Sequence, residues 1–366
     1  MENQNLLYQI ALTLIPGIGA IKAKKIIAYC GDVESVFKSK KKELSKIPAI
    51  NSFQTDSIIS KHVFFRAEKE MEFIIKNQIK PLFYTDKDYP NRLKHCEDSP
   101  ILLYFKGNCD LNAAKIISIV GTRKATEYGK EICRKILEDL RPYNPLIVSG
   151  LAYGIDICAH KQALSNNLST VACLGHGLDK IYPSIHHATA QSMLEKGGLL
   201  TEFLSQTDPD RENFPKRNRI VAGIADATLV IEAGIKGGAL ITAEIANSYN
   251  RDVFAVPGRL NDEFSQGCNQ LIKTHKAALL CSAQDIEYVM GWEQTNTKKT
   301  IQQKLFVELN PDEELLLKIL KENKSVSIDK LSLLANFNIS KTAATLLKLE
   351  FSGMIKVLPG KIYELN

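Results

Sequence analysis

The chain has 366 residues, 45% hydrophobic and 24% charged, an ordinary globular composition long enough for two or three domains with a self-sufficient core. A net charge of +6 excludes a generally basic surface, so any footprint for a polyanion must be local. The eight cysteines are scattered without a CxxC pair, as small core residues are, and no apolar run reaches the roughly eighteen residues that span a bilayer. With no basic leader ahead of an apolar segment, the chain is expected in a reducing cytoplasm and not in a membrane.

Residues 1–78 read as short helices. Leu14-Ile15-Pro16-Gly17-Ile18-Gly19 sits between a first helix and Ala20, Ala23, Ile26 and Ile27 at helical spacing, a pattern that resembles a helix-hairpin-helix within a helical (SAM-like) domain. Gly17 and Gly19 would let the backbone approach a DNA phosphate, with Lys22, Lys24 and Lys25 adding charge. A degraded second copy is expected at Ile47 to Asn51, where both glycines are replaced. Two readings stand for this domain, a secondary DNA clamp and a protein-contacting or spacer unit. Lys38, Lys40, Lys41 and Lys42 read as a solvated loop.

From 79 to 288 the pattern becomes strands alternating with helices. Pro81 to Tyr84 and Ile101 to Phe105 form a flanking pair; Ile116–Val120, Leu146–Ser149, Thr170–Leu174, Gly198–Thr201, Ala227–Ile231, Asp252–Val256 and Ala278–Leu280 follow. Most are apolar on both faces, which predicts an α/β domain, an extended Rossmann-like and mostly parallel sheet covered by helices on both sides. Residues 289–309 have the polar, aperiodic composition of a linker. Residues 310–366 read as three helices and a hairpin, a winged-helix pattern. Its eight Lys against seven Asp or Glu, from residue 311 on, suit a protein partner as well as DNA.

Two cationic segments carry the chemistry. The strand Ile116–Val120 stops at Gly121-Thr122-Arg123, where a parallel sheet places its phosphate-binding turn, and Asn213 to Gly223 puts Lys216, Arg217, Asn218 and Arg219 before an apolar stretch. Arg123 can fork two donors onto a phosphate, with Gly121 and Thr122 offering further donors at a helix start. Ser149 and Gly150 end the next strand similarly, and Gly150 and Gly154 remove bulk where a backbone must pass. Asp156 is expected to cap that turn. Lys216 and Arg217 are the expected cationic rim, and Asn218 can donate to a base edge or sugar. Arg219 has a second reading, an ion pair with Glu202 or Glu232. Tyr182 and Phe214, each beside a proline, are either stacking platforms or core. His160, His176, His186 and His187 with Cys173 match no zinc spacing, and no GxGxxG follows the first strand. No metal, cofactor or catalytic residue is therefore expected.

Five motifs stand in order: Gly121-Thr122-Arg123; Ser149-Gly150-Leu151-Ala152-Tyr153-Gly154-Ile155-Asp156; Gly175-His176-Gly177-Leu178-Asp179 running to Tyr182-Pro183; Phe214 to Gly223; and Gly237-Gly238-Ala239-Leu240-Ile241-Thr242-Ala243. This order resembles the DNA-processing protein DprA (Smf) family over residues 79 to about 285. Gly238 opens the last motif and joins the expected DNA-binding positions. The resemblance implies a single-stranded DNA-binding protein, dimeric through its Rossmann-like domain, that protects incoming DNA and hands it to the recombinase RecA in natural transformation. Ser184 and His186 stand where the family often has a basic residue and Asn, which removes one cation. The alternative is a nucleotide-binding or nucleotide-hydrolysing protein that resembles lysine decarboxylase-like phosphoribohydrolases. Its loop would be Glu232 to Glu244, but the residue order differs and Glu244 is expected to brace a helix.

Overall fold

The structure, a computed structural model, describes residues 2–48, 50–292, 309–323, 325–352, 354–358 and 362–365. The chain divides into two compact units, residues 1–296 and 297–366.

The first unit opens with α1 (Glu2–Thr13), α2 (Ala20–Cys30), α3 (Val33–Lys38), α4 (Lys41–Leu44), α5 (Ser52–Ser60) and α6 (Phe64–Lys76). Side-chain caps fix several starts: Asp32 accepts from the Ser35 amide at α3, and Asn51 and Gln54 cap α5 reciprocally. Ile10, Leu12, Ile26, Val36 and Ile58 share one buried cluster with Ile79, Phe83, Ile101, Leu102 and Tyr104. The helices of residues 1–78 thus close over the end of the sheet and belong to its unit.

The sheet follows as β1 (Lys80–Phe83), α7 (Asn91–Lys94), β2 (Leu102–Gly107), β3 (Ile116–Val120), α8 (Glu127–Leu140), β4 (Leu146–Ser149), α9 (Ile155–Ser165) and β5 (Thr170–Cys173). Then come α10 (His187–Met193), β6 (Gly198–Thr201), α11 (Asn213–Ile224), β7 (Ala227–Val230), α12 (Gly238–Ser248), β8 (Asp252–Ala255), α13 (Gln266–Lys273), β9 (Ala278–Leu279) and α14 (Ala283–Met290). The order is β1-β2-β6-β5-β4-β3-β7-β8-β9, with only the β1–β2 and β2–β6 pairings antiparallel.

Alternation along the strands splits the core in two. Ile116, Val120, Val148, Val171 and Val230 pack with α11, α12 and α13, while Ile117, Ile119, Ile147 and Leu229 pack with α8, α9 and α14. The strand order reverses between β3 and β7, where the buried Ser118 and Thr228 hydroxyls meet at 2.8 Å. Such a reversal opens a crevice at the carboxyl ends of the two strands.

The second unit holds α15 (Pro311–Asn323), β10 (Ser325–Ser327), α16 (Ile328–Ala335), α17 (Ile339–Phe351), β11 (Ile355–Leu358) and β12 (Ile362–Leu365), with sheet order β10-β12-β11. This is a winged helix around Leu316, Leu320, Leu331, Leu346 and Leu349. β10 went unread in the sequence because three residues with one buried side chain carry no periodicity. The expected linker begins inside α14, and residues 293–308 lie outside the described residues. No described helix is long and apolar enough to cross a membrane.

Candidate nucleic-acid interface

Val120, Gly121 and Arg123 from the end of β3, Gly150 and Ala152 after β4, Asn218 on α11 and Gly238 on α12 surround a crevice of about 370 Å³ at the strand reversal. α12 points its N-terminus into this space. Gly237 caps it without any side chain, and nothing lies within 4 Å of where a Gly238 Cβ would stand, so first-turn N–H groups face an open, electropositive mouth. A smaller pocket of about 80 Å³ adjoins, lined by Tyr153, His176, Tyr182 and Phe214, and shares Arg123, Ala152 and Arg217 with the crevice.

Arg123 stands at the junction. It is exposed, and its guanidinium lies over the Phe214 ring at 4.9 Å from the centroid. Among the described residues no ion pair takes Arg123, Lys124 or Lys216. On the outer face of α8, by contrast, Lys130 pairs with Glu127 and Arg134 with Glu131 and Glu138. Of Arg123, Lys124 and Lys216, the first two line the crevice. Tyr182 is 49% exposed and Phe214 is half-buried, so both rings keep free surface.

Arg217 does not form the rim expected of it. The helical turn that exposes Lys216 carries Arg217 inward with Asn213, Ile220 and Val221, to 6% exposure. Its Nη1 donates to the Cys173 carbonyl at 3.1 Å and lies 4.0 Å from Asp156 Oδ2, while its buried Nε has no partner. Arg217 is thus a cation in the crevice floor. Burial pushes the Asp156 carboxyl up against the pull of Arg217; one oxygen caps the turn by accepting from the Ala152 amide at 3.3 Å. Lys216 lines a different cleft with Ile18, Gly19 and Glu202, so the structure separates the two expected rim cations. Arg219 takes the ion-pair reading: it binds Glu202 and the Asp98 carbonyl, and burial pushes the Glu202 carboxyl up. Glu232 instead accepts from the Thr126 amide (2.9 Å) and hydroxyl (2.5 Å) at the start of α8.

The motif glycines make room for the chain itself. A Cβ on Gly150 would stand 1.7 Å from Arg217 Nη1, one on Gly121 2.4 Å from the Ile155 side chain, and one on Gly154 (φ +78°) 2.2 Å from the Thr122 carbonyl. Ser149 is fully buried and its hydroxyl donates to the Ile119 carbonyl at 2.6 Å, so it braces β4 against β3. Gly121 and Thr122 are not at a helix start, since α8 is capped by Thr126, and the Thr122 amide is committed to the Glu232 carbonyl at 2.7 Å. His160 fixes the Gly150 turn from below: its Nε2 donates to the Gly150 carbonyl at 2.6 Å, leaving Nδ1 to accept from the Thr170 hydroxyl at 2.7 Å. Burial pushes that imidazole down to about 4. His176 is likewise lowered by burial, with Nδ1 donating to the Gly177 carbonyl at 2.8 Å.

The N-terminal hairpin is held by its own chain. Gln54 Nε2 donates to the Gly17 carbonyl at 2.7 Å, and Lys24 Nζ reaches across to Ser99 Oγ (2.6 Å) and the Glu97 carbonyl (3.0 Å). Lys24 is therefore a brace between helices and sheet, and burial lowers its ammonium. Gly19 and Lys22 remain open to solvent or cleft. Glu244, the carboxylate of the hydrolase alternative, lies exposed on α12 beside Lys276 at 3.3 Å and does not line the crevice. Among the lining residues to which the sequence assigned no role are Lys124, Tyr153 and Phe264. Tyr153 lay inside a motif, whereas Phe264 sits in a loop without signal.

Known proteins share this arrangement. The sequence model of the DNA recombination-mediator protein A family matches residues 80–291, and that of the DprA winged helix domain matches residues 307–361. Protein Smf of Synechocystis sp. is 32% identical over an alignment of 399 positions covering 100% of both chains. DNA processing protein DprA of Streptococcus pneumoniae is 40% identical over 202 residues, 55% of this chain and 71% of that protein. The X-ray structure of the pneumococcal protein superposes with a TM-score of 0.69 at 30% identity, covering 78% of this chain and 98% of the other. A Helicobacter pylori DprA structure, reported for its single-stranded DNA binding mode, gives 0.53 at 28% identity over 59% of this chain and 98% of that one. The crevice motifs, the sheet that positions them and the winged helix together make this chain a member of the DprA (Smf) family.

Proposed function

We propose that this chain binds single-stranded DNA along the carboxyl edge of its Rossmann-like sheet and, as a cytoplasmic dimer, hands the strand to RecA recombinase in natural transformation, without chemical turnover. The observation that carries this reading is the exposed Arg123 guanidinium over the Phe214 ring, in no ion pair among the described residues, at the junction of the two pockets. A phosphate can sit against the guanidinium and the α12 N-terminus while an unpaired base meets Phe214 or Tyr182, a contact of roughly 1–3 kcal/mol per stacked base. Duplex bases are already stacked and cannot reach these rings. The Helicobacter pylori relative supports the same ligand class. For the dimer, β9 leaves the sheet edge unpaired with Leu279 46% exposed, a surface on which a second copy can pair.

Fluorescence anisotropy of a labelled oligonucleotide, single-stranded and duplex, with wild type and Arg123→Ala, tests the binding. Selective single-strand binding that drops on Arg123→Ala is expected; duplex preference indifferent to Arg123 would overturn it. Light scattering of wild type and Leu279→Lys reads the dimer, and stimulation of RecA filament formation on protein-coated single strands reads the handover.

A further inference from the structure

The pocket that holds Tyr182 leans on the N-terminal helices. Glu70 on α6 is 2% exposed; its Oε1 accepts from the Ser205 amide at 2.9 Å and its Oε2 from the Ser205 hydroxyl at 2.5 Å. Arg66, one turn earlier, donates through Nη1 to Glu70 Oε2 at 2.8 Å and through Nη2 to the Ser205 carbonyl at 2.6 Å. The connection between β6 and α11 is therefore gripped at Ser205 by its amide, hydroxyl and carbonyl, a satisfied buried network that fixes one position.

That connection in turn holds residues 175–183. The Gln206 amide donates to Asp179 Oδ1 at 2.9 Å, and the Gly177 amide to the Thr207 carbonyl at 3.3 Å. A Cβ on Gly177 would stand 2.4 Å from the Leu204 carbonyl, so the two segments lie in direct contact. Leu178 and Leu204 also pack against the helical core that contains Ile74 of α6. From this loop His176, Tyr182 and Pro183 line the aromatic pocket, whereas Glu70 and Ser205 line neither that pocket nor the crevice.

We propose that Glu70 is a positioning residue for DNA binding: through Ser205 it sets the loop that presents Tyr182 to an unpaired base. The inference rests on the single-strand reading above, and it gives α6 a part in binding that needs no contact with the strand.

Two readouts on the full chain test it: amide hydrogen exchange followed by peptide mass spectrometry, and anisotropy of a labelled single-stranded oligonucleotide across a salt series. Glu70→Ala should speed exchange in residues 175–183 while β3 and β4 stay protected. It should weaken binding about tenfold, the weight of one stacked base, at an unchanged salt slope, since no phosphate contact is lost. Glu70→Gln keeps an acceptor for the Ser205 amide and should recover most of both effects. Asp179→Ala cuts the same chain of bonds at the loop itself and should reproduce them even where Glu70→Ala fails to fold. Exchange in residues 175–183 as slow as in wild type, affinity equal to that of a binding wild type, or a slope shallower by a phosphate contact would overturn the proposal. So would faster exchange spread over β3 and β4, the mark of a general loss of stability. Should wild type bind no single strand, the proposed function falls, while the exchange rates still decide whether Glu70 sets the loop.

Discussion

Replacing Gly150 with alanine should break the crevice from the inside. The new Cβ would fall 1.7 Å from Arg217 Nη1, 2.6 Å from its Cζ and 2.3 Å from Asp156 Oδ2, so the guanidinium must leave its seat. Its bond to the Cys173 carbonyl at 3.1 Å is then lost, and that buried acceptor is left without this donor. Overpacking costs about 1–3 kcal/mol and an unsatisfied buried acceptor about as much, which together give roughly 3 kcal/mol after partial relaxation. For a unit of this size that corresponds to a fall in Tm on the order of 6–12 °C. Denaturant unfolding measures the stability, and anisotropy with a single-stranded oligonucleotide, below the lowered Tm, measures the site. Moving the floor cation should weaken binding about tenfold, the weight of one charge-assisted contact. Gly150→Ala with stability within about 0.5 kcal/mol of wild type would refute the packing of Arg217 against Gly150.

Three further outcomes follow from the same geometry. His160 gives up its proton near 4 in the folded chain and near 6.5 when unfolded, so its contribution is complete above about pH 6.5 and is lost as pH falls toward 4, by about 3 kcal/mol. Denaturant midpoints across that range should fall less steeply in His160→Gln than in wild type; parallel curves would contradict the buried neutral imidazole. Arg219→Met should cost about 3 kcal/mol by stranding the mostly buried Glu202, whereas exposed Lys216→Ala should leave thermal stability unchanged; equal losses would refute the separation of their roles. Lys24→Met should cost about 1–2 kcal/mol in unfolding free energy and leave oligonucleotide affinity unchanged, since its ammonium is bonded to Ser99 and Glu97. A clear loss of affinity at equal stability would return Lys24 to the DNA surface.

The inner strands β3 to β8 were legible because parallel strands buried on both faces leave near-continuous apolar runs; β1 and β2, which pair antiparallel, and the exposed edge strand β9 also overlap runs read from the sequence. The crevice was legible in position, since the glycine-ended strands stand where the order of a parallel sheet reverses. Side-chain direction was not. Asn213 to Gly223 advertises four polar or cationic residues in a row, and only the helical turn of α11 and the space above Gly150 decide that Arg217 goes in and Lys216 out. The glycines misled for the same reason: Gly150 and Gly154 admit a guanidinium and a carbonyl of this chain, and sequence cannot tell an internal guest from a ligand. The hairpin at Gly17 reads as a phosphate clip until Gln54, thirty-seven residues on, is seen to hold its carbonyl.

The salt dependence of single-strand affinity for wild type and Arg123→Ala tests the crevice as the site of DNA contact. Each phosphate contact on a single strand contributes about −0.7 to the slope of log K against log salt. Arg123→Ala is expected to bind more weakly, with a slope shallower by about that amount. Unchanged affinity and slope would place the strand elsewhere on the protein and contradict the crevice as its binding site.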